Sequence, residues 1–192
     1  SSYYIRIARK SARRQQVTDK VGFKVADVRR IGTVLAGEKF DGIINLFTSF
    51  GFYDDKTNAD ILRQCCSLVR SKGFFALEIM NRDWIVRNFQ SRGFSRYGNL
   101  IVLEDRAFDA KTSRVVTTWT YLVQKDDKNF FLEKQVAIDT RLWSVHELID
   151  IFEKAGWRFK AVYPGLGRQQ GDVSLTELQR LFFIATKPAL GK

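Results

Sequence analysis

A short apolar strand followed at once by a polar and aromatic loop is the feature that most restricts the fold of this chain. Apolar residues predict the strand over 42–46, Asn45 lies near its end, and a loop rich in serine, glycine and phenylalanine follows. A helical pattern over 57–71 and a buried strand over 74–80 come next. Alternating strands and helices predict a mainly parallel sheet, which binds ligands beyond the carboxyl ends of its strands. We therefore expect the loop after Asn45 to border a site.

The remaining patterns extend the α/β order, with one interruption. Thr57-x-x-Asp60 and Ser144-x-x-Glu147 have the form of capping boxes, and Gly73 and Gly156 are typical helix ends. Three β-rich runs separated by turn residues predict an antiparallel meander. The other predicted elements are helix 2–15, strand 21–26, a short helix or turn 28–36, helix 83–90, meander strands 99–108, 114–124 and 130–138, helix 144–155, strand 157–163, loop 164–174 and strand 180–187.

Composition narrows the class of protein. A chain of 192 residues that is 45% apolar fits one domain, and it contains no apolar run long enough to predict a membrane span. The adjacent Cys65 and Cys66 suit neither a disulfide nor a metal site, so we expect buried thiols and a reducing cytoplasm. His146 is the only histidine, which argues against a histidine-based metal cluster or a Ser-His-Asp triad, and we expect no metal.

The positive charge is concentrated at the start of the chain. The formal net charge is +11, and residues 1–30 contain nine Lys and Arg against two Asp. Such a segment can form a phosphate-binding face. It can equally be a solvated helix whose buried stripe is Tyr4, Ile5, Ala8 and Ala12, and both interpretations stay open.

Five segments, in this order and spacing, resemble the class I S-adenosylmethionine-dependent methyltransferases. They correspond to the helix after the family's second strand, the end of its third strand, its fourth strand and loop, the entry to its fifth strand, and its closing helix with the sixth strand. The segments are 1–9, 25–28, 40–51, 68–75 and 141–157. The resemblance implies an α/β, Rossmann-like methyltransferase sheet with the meander as a β cap over 99–138.

The resemblance also implies a cofactor, S-adenosylmethionine, and the residues that hold it. Asp27 matches the acidic residue beside the adenine amino group, and Val28 matches the residue against the ring face. Asn45, Leu46 and Phe47 match the loop that faces the reactive methyl group.

Five further residues are candidates for substrate binding. Phe50 belongs either to a lid or to the ordinary core. Asn81, three residues after Glu78, lies at the end of the segment that matches the family's fifth strand. Trp119 and Tyr121 share one strand face, so they either line a pocket over the cofactor or pack the sheet. Arg141 suits a substrate carboxylate or phosphate, or a salt bridge.

The family's glycine-rich loop after its first strand has no counterpart in this sequence. Gly165-x-Gly167 precedes the last predicted strand, at the wrong end of the chain to be that loop. We therefore expect residues 1–192 to be the carboxyl-terminal part of a single methyltransferase-like domain, with the family's first two strands and roughly 40 to 60 residues upstream of Ser1.

The meander resembles the substrate cap of the small-molecule branch of the family. We therefore expect methyl transfer to a small-molecule acceptor. Two alternatives remain: an RNA or protein methyltransferase, which the basic first helix suggests, and a non-catalytic binding module. The sequence predicts neither the acceptor atom nor the oligomeric state.

Overall fold

The computed structural model describes residues 1–165 and 174–189, which form two four-stranded sheets. In the first sheet the strand order is β1-β2-β8-β7, with β1 parallel to β2 and the other pairs antiparallel. The second sheet is antiparallel, in the order β3-β4-β5-β6. The elements are α1 (Ser2–Arg14), α2 (Ile31–Val34), β1 (Phe40–Asn45), α3 (Asp55–Leu68), β2 (Val69–Met80), α4 (Arg82–Arg87), β3 (Arg92–Tyr97), β4 (Leu100–Asp109), β5 (Arg114–Gln124), β6 (Phe130–Arg141), α5 (Val145–Lys154), β7 (Arg158–Tyr163) and β8 (Arg180–Thr186).

The core lies between the first sheet and the helices α3 and α5. Leu62, Phe75, Phe152 and Phe183 are almost completely buried there, and the Phe152 ring lies 4.8 Å from that of Phe183. Trp157 joins the layers through its indole nitrogen, which donates to the carbonyl oxygen of Leu62 at 3.0 Å. Burial of these large side chains fixes the sheet relative to the helices.

Several predicted features are confirmed. Helix α1 forms as expected, and α5 begins with the complete Ser144–Glu147 capping box and ends before Gly156, whose φ is +92°. The meander exists with one strand more than predicted. That strand, β3, is joined to β4 by a tight turn at Gly98 (φ +61°), and its charged sequence carries little strand signal.

The predicted strand 21–26 is wrong. These residues form no regular secondary structure and belong to no sheet, and Val25 is 58% exposed. A strand requires a hydrogen-bonded neighbour, and none of the residues in the described ranges pairs with this segment along a ladder. The sheet ends at β1, whose outer edge likewise has no strand beside it in the described part of the chain.

Both predicted ends of α3 also need correction. The N-cap is Asp54, whose carboxylate accepts from the backbone N–H of Thr57 at 2.7 Å, so Thr57 lies inside the helix. Gly73 is not a helix end but part of β2. A Cβ at Gly73 would lie 2.6 Å from the carbonyl oxygen of Asp41, so glycine is required here for close approach to β1.

Helix α1 buries less than its pattern predicts. Ala12 is buried, whereas Tyr4 is 70% exposed. Arg9 reaches across to the carbonyl oxygen of Phe23 at 3.4 Å. Cys65 and Cys66 are buried as expected, and burial raises the pKa of the Cys65 thiol to about 12.

No helix in the described ranges is both long and apolar enough to cross a membrane. Within the same residues, no group of three or more histidine, cysteine, aspartate or glutamate side chains could hold a metal ion.

Candidate functional site

Two cavities flank the loop that joins β1 to α3. The first has a volume of about 580 Å³ and lies where β1 meets α2 and α3. Its walls are mainly apolar, and they include Val28, Ile31, Leu35, Ile43, Asn45 and Leu46. A mainly apolar cavity with a few polar groups in its lining is the usual form of a small-molecule site.

The second cavity has a volume of about 820 Å³ and lies between the two sheets. Aromatic side chains from the loop, from α4 and from β5 line it, and the charged residues Glu104 and Arg106 lie on the inner face of β4. The aromatic residues are Phe47, Phe52, Trp84, Phe89 and Trp119. Glu104 and Arg106 form an ion pair, and Arg106 also donates to the carbonyl oxygen of Gln90 at 3.2 Å.

The structure brings three of the five predicted cofactor residues together. Val28, Asn45 and Leu46 line the first cavity, whereas Phe47 lies in the wall of the second. Asp27 caps the short 3-10 turn at 28–30, and its carboxylate accepts from the Arg29 guanidinium. The side-chain hydrogen bond from Arg29 is the main reason that the pKa of Asp27 falls to about 2.

Among the predicted substrate residues, Trp119 lines the second cavity. Tyr121 shares its strand face but lies farther along β5, with the Lys134 ammonium 4.7 Å from its ring centre. Phe50 is buried against Trp143 and Phe152, at the edge of the first cavity.

Asn81 and Arg141 are held within the protein. The Asn81 amide donates to the carbonyl oxygens of Leu175 (2.7 Å) and Leu178 (2.9 Å), and its oxygen accepts from the N–H of Asp83. The Arg141 guanidinium donates to Glu147 at 2.7 Å and lies over the ring of Trp143. Their substrate roles stay predictions.

Sequence reasoning missed much of the second cavity. Trp84 lies in the short helix α4, and Phe89 follows that helix. Arg106 lies on β4, and the packing of the two sheets decides which face of that strand points into the cavity. Arg180, at the start of β8, extends towards the carboxylate of Glu78 at 3.3 Å. The one available signal in the sequence was the alternation of side chains along β4, which puts Glu104 and Arg106 on the same face of the strand.

The Glu147 carboxyl group should make the free energy of unfolding depend on pH. Partial burial opposes its ionisation, but hydrogen bonds from Arg141 and Ser144 outweigh this and lower its pKa from 4.5 to about 2. The carboxylate therefore stabilises the fold fully above its unfolded-state pKa, and this contribution is lost as the pH falls from 4.5 towards 2. We expect Glu147→Gln to reduce the pH dependence of the unfolding free energy in that window, measured by urea unfolding. Glu153→Gln, an exposed position on the same helix, is the matched control, and an unchanged pH dependence in Glu147→Gln would contradict the assignment.

A parallel β1–β2 pair, an antiparallel edge, flanking helices and a separate β cap define an α/β fold of the Rossmann-like methyltransferase type. Solved structures share it. A crystal structure of an S-adenosylmethionine-dependent methyltransferase from Clostridium acetobutylicum ATCC 824 aligns with a TM-score of 0.77 at 11% identity, over 98% of this chain and 73% of its own.

Two further structures have the same fold. One is an amino pentose methyltransferase from Micromonospora echinaspora, solved with S-adenosylmethionine bound (TM-score 0.66, 17% identity, 97% of this chain and 71% of that chain). The other is a sugar N-methyltransferase from Streptoalloteichus sp ATCC 53650 (TM-score 0.62, 14% identity, 93% and 66%). No protein-family model matches the chain, and no curated protein sequence matches it either. At these identities the likeness establishes the fold alone.

Proposed function

We propose that this chain takes part in S-adenosylmethionine-dependent methyl transfer to a small-molecule acceptor. One observation carries the proposal: a single loop separates an apolar cavity beside the sheet from an aromatic cavity beneath the cap. Leu46 lines the first cavity, Phe47 lines the second, and Phe52 lines both. A donor and an acceptor bound on the two sides would meet at this loop.

The first cavity suits the cofactor. When bound, S-adenosylmethionine supplies a methyl group on a positively charged sulfonium. Val28 and Ile31 offer apolar surface for a flat ring, and Asn45 provides a polar group at the end of β1. The Asn45 side chain is itself fixed, since the Ser49 hydroxyl donates to its oxygen at 2.7 Å.

The second cavity suits the acceptor. Trp84, Phe89 and Trp119 provide flat apolar walls, and Glu104 with Arg106 provides hydrogen-bonding groups on one of them. Held orientation alone can supply much of the acceleration for a displacement. A base is needed only where the attacking atom carries a proton to be removed.

The named substrates of the structural neighbours are consistent with this assignment, because two of them act on sugars. We treat residues 1–192 as one methyltransferase-like domain, with the second sheet as the acceptor cap. The first cavity borders β1, which is the edge strand of the first sheet in the described part of the chain.

Methyl-labelled S-adenosylmethionine tests the proposal. The protein as the cell makes it is incubated with the labelled compound and a cell extract, and small molecules, RNA and proteins are then separated. We expect label in the small-molecule fraction. Label confined to RNA or protein would contradict the small-molecule acceptor, and label in no fraction would contradict catalysis.

The cavity assignment has its own test in a matched pair of variants. Trp119→Ala removes a wall of the second cavity, so we expect the KM for the acceptor to rise by about tenfold or more. Tyr121→Ala removes a ring from the same strand face outside that cavity and should leave the KM within about twofold. Equal effects of the two variants would contradict the placement of the acceptor.

A further inference from the structure

The loop between the two cavities has an unusual backbone. Phe47 and Thr48 lie two and three residues after the end of β1 and have φ values of +59° and +57°. Neither is glycine, and Thr48 is β-branched, so each residue in this left-handed conformation costs of order 1–3 kcal/mol. Phe47 is also 80% exposed, with its ring at the wall of the second cavity. Other contacts must hold such a segment in place.

One of these contacts comes from the carboxylate of Glu78. Its carboxylate oxygen Oε2 accepts from the backbone N–H of Phe47 at 2.9 Å. Glu78 lies in β2, beside β1, and its side chain is only 11% exposed. A hydrogen bond to a buried carboxylate is stronger than one between neutral groups.

Glu78 also faces the second cavity side of the sheet. Strand alternation places it on the same face as Met80, which lines that cavity, and opposite to the core residues Leu77 and Ile79. Its other oxygen, Oε1, accepts from Arg180 at 3.3 Å. The carboxylate therefore joins the strained loop to the rigid centre of the sheet.

We propose that Glu78 is a positioning residue, which holds the left-handed Phe47–Thr48 backbone so that the loop keeps the shape of the wall between the two cavities. The effect of Glu78 on catalysis rests on the proposed function, whereas the effect of Glu78 on the loop conformation does not. Glu78 acts through the Phe47 N–H and need not touch either ligand.

Amide hydrogen exchange at Phe47 tests the hold directly. Glu78→Leu removes the acceptor, and we expect exchange at Phe47 to accelerate by about tenfold or more, with little change at Leu77 and Phe183 in the core. Glu78→Gln keeps an acceptor oxygen without the charge and should give an intermediate rate. Arg180→Gln removes only the ion pair and should leave exchange at Phe47 within about twofold. Exchange at Phe47 unchanged in Glu78→Leu would overturn the proposal.

A second substitution distinguishes relief of strain from general loosening. Glycine adopts the left-handed conformation without steric cost, so Glu78→Leu should displace the backbone chemical shifts of Phe47 less in a Thr48→Gly background than in the native sequence. An equal displacement in both backgrounds would contradict the claim that Glu78 holds a strained backbone. A folded Glu78→Leu variant is verified by its core amides, which keeps the comparison valid.

The catalytic consequence has a separate readout. With the labelled-methyl assay at saturating cofactor, we expect Glu78→Leu to lower kcat by about tenfold or more, while the affinity for S-adenosylhomocysteine, measured by calorimetry, changes less than threefold. Unchanged kcat would limit Glu78 to a structural role. If the protein transfers no methyl group at all, the proposed function fails, and the exchange result for Phe47 still decides the positioning claim.

Discussion

Gly51→Ala should destabilise the protein by about 2–5 kcal/mol, because it combines a forbidden backbone with a blocked contact. Gly51 has a φ of +115°, which L-residues rarely adopt, and a Cβ there would overlap the carbonyl oxygen of Arg141. The Gly51 carbonyl oxygen also accepts from the N–H of Arg141 at 2.8 Å, so the two segments cannot separate without losing this bond. Urea unfolding followed by tryptophan fluorescence measures the loss.

Two other glycines separate the two causes. Gly37 also has a positive φ, of +86°, but no atom lies within 4 Å of its Cβ position, so Gly37→Ala reports backbone strain alone. Gly22 has open space and an ordinary φ, and Gly22→Ala should be nearly neutral. If Gly51→Ala costs no more than Gly37→Ala, the contact with Arg141 is not a constraint.

Arg141→Met should cost about 1.5–3 kcal/mol, because it removes a buried guanidinium that donates to two carboxylates and a backbone carbonyl oxygen. Arg141 is 8% exposed and bonds to Glu147 at 2.7 Å, to Asp55 at 3.3 Å and to the carbonyl oxygen of Leu142. Its guanidinium carbon also lies 4.3 Å from the ring centre of Trp143. Methionine keeps much of the volume, so the measured loss reflects charge and hydrogen bonding rather than a cavity.

The matched control is Arg63→Met. Arg63 pairs with Asp60 at 3.5 Å, but both side chains are more than half exposed, so the change should cost less than about 1 kcal/mol. The substrate role predicted for Arg141 gives a different pattern: a raised acceptor KM with stability unchanged. That outcome would contradict the structural role described here.

Local sequence patterns were sufficient where neighbouring residues determine the structure. The Ser144–Glu147 capping box needs only residues within one turn, and the meander strands carry their own turn residues. Two of the errors occur where a distant partner decides. The segment 21–26 has strand-like residues, but among residues 1–165 and 174–189 no strand pairs with it. Gly73 allows close approach to Asp41 rather than ending a helix.

The same distinction applies to the site. The resemblance selected Val28, Asn45 and Leu46 as neighbours, and all three line the first cavity. This grouping was predictable because the order of elements determines which strand ends lie together. The resemblance could not reveal that the Arg141 guanidinium pairs with Glu147, nor that Trp84 and Trp119 line the same cavity. Those facts depend on how the cap sheet packs, which no short pattern specifies.

The thiols of the adjacent Cys65 and Cys66 can report how often the core opens. Cys65 and Cys66 lie on the inner side of α3, and burial raises the pKa of both. An alkylating reagent needs an accessible thiolate, so labelling of these cysteines requires α3 to separate from the sheet, and its rate follows the population of that open form when reclosing is faster than alkylation. The chain thus carries its own chemical reporter of how often its core is exposed, without any introduced probe.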